Sequence, residues 1–329
     1  MQNIICYNER EIKEEGQGSR EDIKQGYNLW IDIENPTDSE IFNIEQSFNL
    51  DNKAVEMFLN KSKKPQIRVL GDHTFTIFLH MRYKKRIEDL DTEAIYFFLG
   101  RGWLITIHSS EVNLIQTVRK MFAERNKRIV ESPIDALYYY ILSTIIEKYE
   151  QLLTAIELKI LDFEKESLYR PTRKTLENLD NLSKQAIVLR RHFWQARHVM
   201  NFLIHMEEDK EDIKYLQIVY DDINQIIDLV ESYRDTVNST REIYAGSISL
   251  QLNDTMRLLT VFSTILLPLT FITSIFGMQG FDLNNIQSIL QGFTVLLIAM
   301  AVVSMALFYM FWKRQWISAK NVISKDKRK

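Results

Sequence analysis

The chain has 329 residues and is poor in cysteine, glycine and proline. Its single cysteine, Cys6, excludes a disulfide within the chain, which fits a reducing compartment. With 10 glycines and 5 prolines, few residues interrupt long helices. The net charge of -3 is too small to indicate a nucleic-acid partner, so we expect none. The N-terminus lacks the basic lead and apolar core of a signal peptide.

Motifs of enzyme chemistry are also missing. There is no Gly-rich phosphate loop, no Cys-x-x-Cys pair and no nucleophile beside an obvious base. His192, His198 and His205 share one predicted helix at spacings of six and seven, which do not fit a helical metal pair. We therefore expect neither an enzyme nor a resident cofactor.

Charge is absent from two long stretches, residues 258–276 and 293–312. A bilayer core of roughly 30 Å requires about 20 helical residues. The pattern predicts two transmembrane helices, at 253–276 and 293–312. Buried core helices are the alternative, but a charge-free pair joined by a short loop is more typical of membrane spans.

Basic residues predict the orientation of these spans. The intervening loop, residues 277–292, contains no lysine or arginine, whereas Arg257 precedes the first span and the tail 313–329 is basic. The positive-inside rule then predicts a multi-pass protein of the cytoplasmic (inner) membrane, with an extracytoplasmic loop and both termini in the cytoplasm. The basic tail could serve topology alone, or could form a ring of positive charge that influences cation access.

Residues 1–132 are predicted to form a cytoplasmic α/β domain. A β-branched and aromatic run at 74–81 predicts a strand, and 94–99 with 103–108 predicts a hairpin around a glycine-containing turn.

Residues 133–252 are predicted to be a long-helix stalk region. Apolar periodicity and breakers predict helices from Ile134 to about Leu168 and from Arg173 to about Met206. A third helix begins near Asp212 and continues into the first span. A helix of that length requires bundling with copies of itself.

One face of the first span carries a polar stripe at steps of three and four residues. The stripe consists of Asn253, Met256, Thr260, Ser263, Leu267, Thr270, Ser274 and Gly277. Such a face can hold helices together, or can line a water-filled path with Met256 and Leu267 as apolar constrictions. Pro268 would free a backbone carbonyl beside it. Two spans cannot enclose a pore, so the second interpretation requires an oligomer.

Three segments resemble the CorA family of divalent-cation transporters: residues 233–237, 253–260 and, above all, 267–278. The resemblance covers most of the chain. It implies an α+β membrane protein in which the helical stalk is continuous with the first span. It further implies a funnel-shaped homopentamer with first spans inside and second spans outside. The implied activity is passive Mg²⁺ influx, with Co²⁺ or Ni²⁺ as secondary cargo.

The resemblance also implies site residues. Asn253, Met256, Leu259, Leu267 and Thr270 would face the pore, with Asn253 as a polar ring and Met256 and Leu259 as the gate. The mouth reads Gly277-Met278-Gln279, where the family carries Gly-Met-Asn. Gln279 keeps the carboxamide one methylene further out, and the hydrated cation is expected near it. A proton-coupled zinc transporter of the ZntB type, whose branch also varies this motif, and a non-conducting membrane-anchored metal sensor or scaffold are the alternatives.

Better-known members of the family sense Mg²⁺ at carboxylates between subunits. Here Ile218 replaces one of these acids, whereas Glu242 retains another. A substitute regulatory metal site could involve Asp221, Asp222, Glu88, Asp89 and Asp91, but clusters of surface acids are usually only solvated faces.

Overall fold

The computed structural model describes residues 2–8, 11–13, 16, 18–83, 90–110, 112, 114–124, 131–278, 286–314 and 316, with the backbone alone at 123, 211, 276–278, 286–291 and 293. The chain forms two compact units, Met1–Ile243 and Tyr244–Lys329. The finer division at residue 133, between α/β domain and stalk region, stays a prediction.

The first unit is built on a six-stranded sheet of order β1-β2-β6-β5-β4-β3. Its strands are β1 (Gln2–Tyr7), β2 (Asn28–Glu34), β3 (Gln66–Leu70), β4 (His73–Tyr83), β5 (Leu90–Gly100) and β6 (Trp103–His108). β2 and β6 are parallel, and the other neighbours are antiparallel. The predicted hairpin is confirmed as β5 and β6, with Gly102 at a φ of 78° in the turn.

Short helices connect and cover these strands: α1 (Arg20–Ile23), α2 (Asp38–Phe48), α3 (Asn52–Leu59) and α4 (Leu114–Ala123). A capping box begins α2, because the Glu40 amide donates to Thr37 Oγ1 at 3.4 Å and the Thr37 amide donates to Glu40 Oε2 at 2.8 Å. Asp51 caps α3 by accepting from the Lys53 and Ala54 amides. These caps satisfy backbone donors in the first turn of both helices.

Two long helices pack on the sheet and on each other. They are α5 (Ile134–Tyr169) and α6 (Arg173–Met206), close to the predicted bounds. Tyr138 on α5 donates to Thr76 Oγ1 of β4 at 2.8 Å, and Tyr149 donates to the Leu79 carbonyl of the same strand. These bonds attach α5 to the sheet.

The third long helix, α7 (Lys210–Met278), runs for 69 residues and passes through Gly246 and Pro268. Its N-terminal part meets α5 and α6 along an apolar seam whose residues include Leu153, Leu189 and Val230. An ion pair of 3.0 Å between Arg190 and Glu231 also joins α6 to α7. The predicted continuity of the third helix with the first span is confirmed. The last long helix is α8 (Ile286–Lys313).

Candidate functional site

Within the described residues, α7 and α8 each contain a stretch long and apolar enough to cross a membrane, and only 6% of each stretch is buried. Large side chains such as Phe262 and Phe271 on α7 are exposed to 63% and 66%. Apolar surface of this extent requires lipid or further protein to cover it.

One face of the first span is covered within the chain. Its half-buried or buried residues recur at three- and four-residue steps: Arg257, Val261, Thr264, Ile265, Pro268, Leu269 and Ile272. The second span shows the same periodicity: Gly292, Leu296, Ala299, Met300, Val303, Ser304, Leu307 and Phe311. This pattern is expected of two helices packed side by side.

A direct contact near the end of α8 agrees with this packing. The Arg257 guanidinium lies 5.7 Å from the ring centroid of Trp316, and that ring lies 5.6 Å from Phe311. Val261 and Phe311, which lie on the packed faces, are each at most 5% exposed. The two spans are therefore paired along one side of α7.

The polar stripe lies on the other side of α7. At 3.6 residues per turn, its centre is about 140° around the helix axis from the covered face. Every stripe residue whose side chain is described is exposed in the single chain: Asn253, Met256, Thr260, Ser263, Leu267, Thr270 and Ser274. Leu259 is exposed as well. The stripe is free to face water or other copies of the chain.

Three hydroxyl groups of the stripe bond to their own helix. Thr260 donates to the Met256 carbonyl at 2.8 Å, and Ser274 donates to the Thr270 carbonyl at 2.8 Å. Thr270 donates to the Leu267 carbonyl at 2.9 Å. Because each hydrogen is used within the helix, the oxygen lone pairs remain available as outward acceptors.

Apolar side chains interrupt the stripe at three levels. Met256, Leu259 and Leu267 are 68%, 66% and 66% exposed. Pro268 lies on the covered side, where it cannot donate to the Thr264 carbonyl one turn earlier. The helix nevertheless continues through it. Gly277 and Met278 end α7, whereas Gln279 lies outside the described residues.

The candidate regulatory acids are not gathered into a metal site within one chain. Among the described residues, no group of three histidine, cysteine, aspartate or glutamate side chains is placed to hold a metal ion. Glu88 and Asp89 lie outside the described residues, and Asp91 pairs with Arg82 at 3.5 Å.

The other regulatory candidates lie along α7. Asp221 and Glu242 are both exposed, and Ile218 is 60% exposed. Partial burial, and then the charge of Asp221, raise the pKa of Asp222 above its ordinary value. A nearby cation would lower that pKa again. Involvement of these acids in regulation stays a prediction.

The first unit contains a buried polar network that was not predicted from the sequence. Thr106 donates to Asp32 Oδ1 at 2.6 Å, and His108 Nε2 lies 3.1 Å from the same oxygen. Asp32 is 2% exposed and its other oxygen lies 3.9 Å from Arg119. The available signal was an aspartate within the otherwise apolar run of β2, but its partners lie more than 70 residues away.

A large α/β unit, a helix continuous from that unit into an apolar span, and a second span beside the first define a two-span α+β membrane protein. A family model described as CorA-like Mg²⁺ transporter protein matches residues 25–314. The chain belongs to the CorA family, as the sequence motifs predicted.

Individual relatives agree with this assignment. The chain is 27% identical over 292 residues to the cobalt/magnesium transport protein CorA of Thermotoga maritima, covering 88% of this chain and 83% of that protein. It is similar to the complete structure of the CorA magnesium transporter from Methanocaldococcus jannaschii, with a TM-score of 0.80 and 25% identity over 96% of this chain and 99% of that one. The predicted fold class is confirmed.

A solved structure from the ZntB branch shares the fold. The ZntB cytoplasmic domain from Vibrio parahaemolyticus has a TM-score of 0.60 and 16% identity, covering 75% of this chain and 98% of that one. At this identity the likeness concerns the fold alone.

Proposed function

We propose that copies of this chain form a passive membrane pathway for hydrated divalent cations, with Mg²⁺ as the main cargo and Co²⁺ or Ni²⁺ as secondary cargo. The observation that carries the proposal is the exposed polar stripe of α7, which lies away from the face packed against α8. A stripe that only joined α7 to α8 would lie on the covered face.

A path along this stripe needs several copies of α7 around one axis. We propose a homopentamer in the cytoplasmic membrane, with both termini in the cytoplasm, the stripes inside and α8 outside. The family membership supports this arrangement, as does the small buried share of both spans. Purified protein should then have a native mass near five times the 39.0 kDa of one chain.

The chemistry of the stripe suits a cation that keeps its water. Mg²⁺ dehydrates reluctantly and usually retains several waters, whose hydrogens point outward. Hydroxyl oxygens on α7, such as those of Thr260 and Thr270, would accept from those waters. Asn253 would form a polar ring, and the carboxamide of Gln279 would do the same at the mouth beside Gly277 and Met278.

The apolar levels would act as the gate. Rings of Met256, Leu259 and Leu267 would constrict the path and could lose their water when narrow. We also propose that regulation by a divalent cation, if retained, involves acids between subunits: Glu242, Asp221, Asp222, Glu88 and Asp89. Ile218 cannot contribute a ligand there, so such a site would differ from that of better-known relatives.

A pair of threonines on opposite faces of α7 tests the pathway. Thr270→Val removes an exposed hydroxyl, whereas Thr264→Val makes the same change on the covered face. If one hydrogen bond contributes about 1 kcal/mol, Thr270→Val should slow Mg²⁺ entry into proteoliposomes at least about fivefold. Thr264→Val should leave the rate near that of the wild type. Equal effects of both changes would place the path elsewhere.

The same proteoliposomes separate the alternatives. Uptake driven by a pH gradient and selective for Zn²⁺ would favour the proton-coupled carrier. No flux of Mg²⁺, Zn²⁺, Co²⁺ or Ni²⁺ under any gradient would favour the non-conducting sensor or scaffold.

A further inference from the structure

The end of α8 brings a cation and an aromatic ring together beside the first span. The Trp316 amide donates to the Phe311 carbonyl at 3.0 Å, which returns the chain against the end of its own helix. The Trp316 ring therefore lies near both Phe311 and the Arg257 guanidinium, at centroid distances of 5.6 and 5.7 Å. This arrangement joins the two spans at one level.

Among the residues that the structure describes, Arg257 has no anionic partner. The side chain is half-buried, and no carboxylate of the described residues lies within ion-pair distance of it. Asp254, nearly one turn earlier on α7, is exposed and makes no ion pair with it. A guanidinium held over an aromatic ring still directs its N–H donors outward in its own plane, a geometry that matches a phosphate.

Further positive charge lies close to Trp316 in the sequence. Lys313 ends α8 and Arg314 follows it, and both side chains are exposed. Neither has a carboxylate partner among the residues that the structure describes. Three cations and a tryptophan thus flank the cytoplasmic ends of the two apolar stretches, which is the depth of lipid headgroups.

We infer that Arg257, Trp316, Lys313 and Arg314 form a binding site for the phosphate of an anionic phospholipid in the inner leaflet. Basic sites between transmembrane helices on the cytoplasmic side commonly bind anionic headgroups, and each lysine or arginine there adds to the attraction. Trp316 would contribute by holding the planar guanidinium of Arg257 at the level of the headgroups. The site is independent of which ion the protein transports.

The test measures lipid binding to the full-length protein in detergent by native mass spectrometry. Phosphatidylglycerol and phosphatidylcholine with identical acyl chains are titrated separately. The wild type should bind the anionic lipid more tightly, and Arg257→Gln should reduce this preference about fivefold, the effect of one cation at an anionic surface. Arg173→Gln removes the same charge from an exposed side chain of α6 and should leave the preference unchanged.

Two further variants distinguish a positioned site from general surface charge. Arg257→Lys keeps the charge but loses the planar fork, and Trp316→Leu keeps every charge but removes the ring. Both should lower the preference for phosphatidylglycerol. Wild-type preference in both variants would overturn the site, as would a wild type that binds both lipids equally.

Inorganic phosphate distinguishes the source of the anion. A tenfold molar excess of phosphate over lipid should not displace phosphatidylglycerol, because the free ion lacks the acyl chains. Displacement at that concentration would assign the cluster to a soluble anion and overturn the lipid proposal.

Discussion

His108 faces an oxygen acceptor at each ring nitrogen. Nδ1 lies 2.7 Å from the Ser109 carbonyl oxygen, and Nε2 lies 3.1 Å from Asp32 Oδ1. Only an imidazolium can donate from both nitrogens. Burial alone would lower the pKa of His108, but the hydrogen bond and charge of Asp32, with the Ser109 carbonyl, raise it above its ordinary value. Protonated His108 can therefore donate to Asp32 and to the Ser109 carbonyl at once.

Stability around β6 should consequently depend on pH. The contribution of His108 to the free energy of unfolding is complete below its ordinary pKa of 6.5 and is lost as the pH rises through the raised value. Hydrogen exchange of β6 amides, corrected for the intrinsic pH dependence, should show protection falling over that window. The other histidine near this network, His80, has a pKa lowered by burial to about 4 and does not titrate there.

A variant assigns this pH dependence to His108. His108→Gln carries no titrating group, so its β6 protection should be lower at acidic pH and flat across the window. An unchanged slope in this variant would show that another group is responsible.

Gln279 belongs to the proposed mouth, and the effect of its side-chain length on ion selectivity can be tested. Gln279→Asn shortens the side chain by one methylene and keeps the amide oxygen that would contact the water shell. We expect the variant to change the ratio of Mg²⁺ to Zn²⁺ uptake in a competition assay while assembly is unaffected. If both versions show the same ratio, selection lies deeper, at Asn253 or Thr270.

Among the elements, α6 begins at a cap that can be removed. Thr172 Oγ1 accepts from the Thr175 amide at 3.2 Å. Thr172→Ala should cost about 1 kcal/mol and speed amide exchange in the first turn of α6 about fivefold.

Thr154→Ala is the matched control, because Thr154 lies exposed inside α5, where alanine is the better helix former. It should not speed exchange in α5. Equal acceleration of amide exchange in the two helices would mean that the Thr172 cap does not specifically stabilise α6.

Helix bounds that depend on neighbouring residues were predictable from the sequence. Pairings between segments distant in the sequence were not. The bounds of α6 followed from Pro171 and Thr172 at one end and the charged turn after Met206 at the other. The parallel pairing of β2 with β6 joins Asp32 to Thr106, and no turn between them indicates it. Likewise, periodicity revealed the stripe on α7, but only packing shows that α8 covers the opposite side.

For the whole molecule, the orientation of the spans can be measured because the only natural thiol is inert. Cys6 is fully buried, and burial raises its pKa. The side chain therefore stays a protonated thiol, which reacts more slowly than a thiolate. Leu283→Cys in the loop should react with an impermeant maleimide in intact cells. Ser324→Cys in the tail should react only after permeabilisation, and the reverse pattern would invert the predicted topology.

The strand order also has a consequence for synthesis. Because β6 lies between β2 and β5, the sheet is incomplete until His108 has left the ribosome. About 150 further residues separate His108 from the first apolar stretch, which at 5–20 residues per second corresponds to roughly 8–30 seconds of translation. The sheet therefore has time to close before the nascent chain presents its first span for insertion.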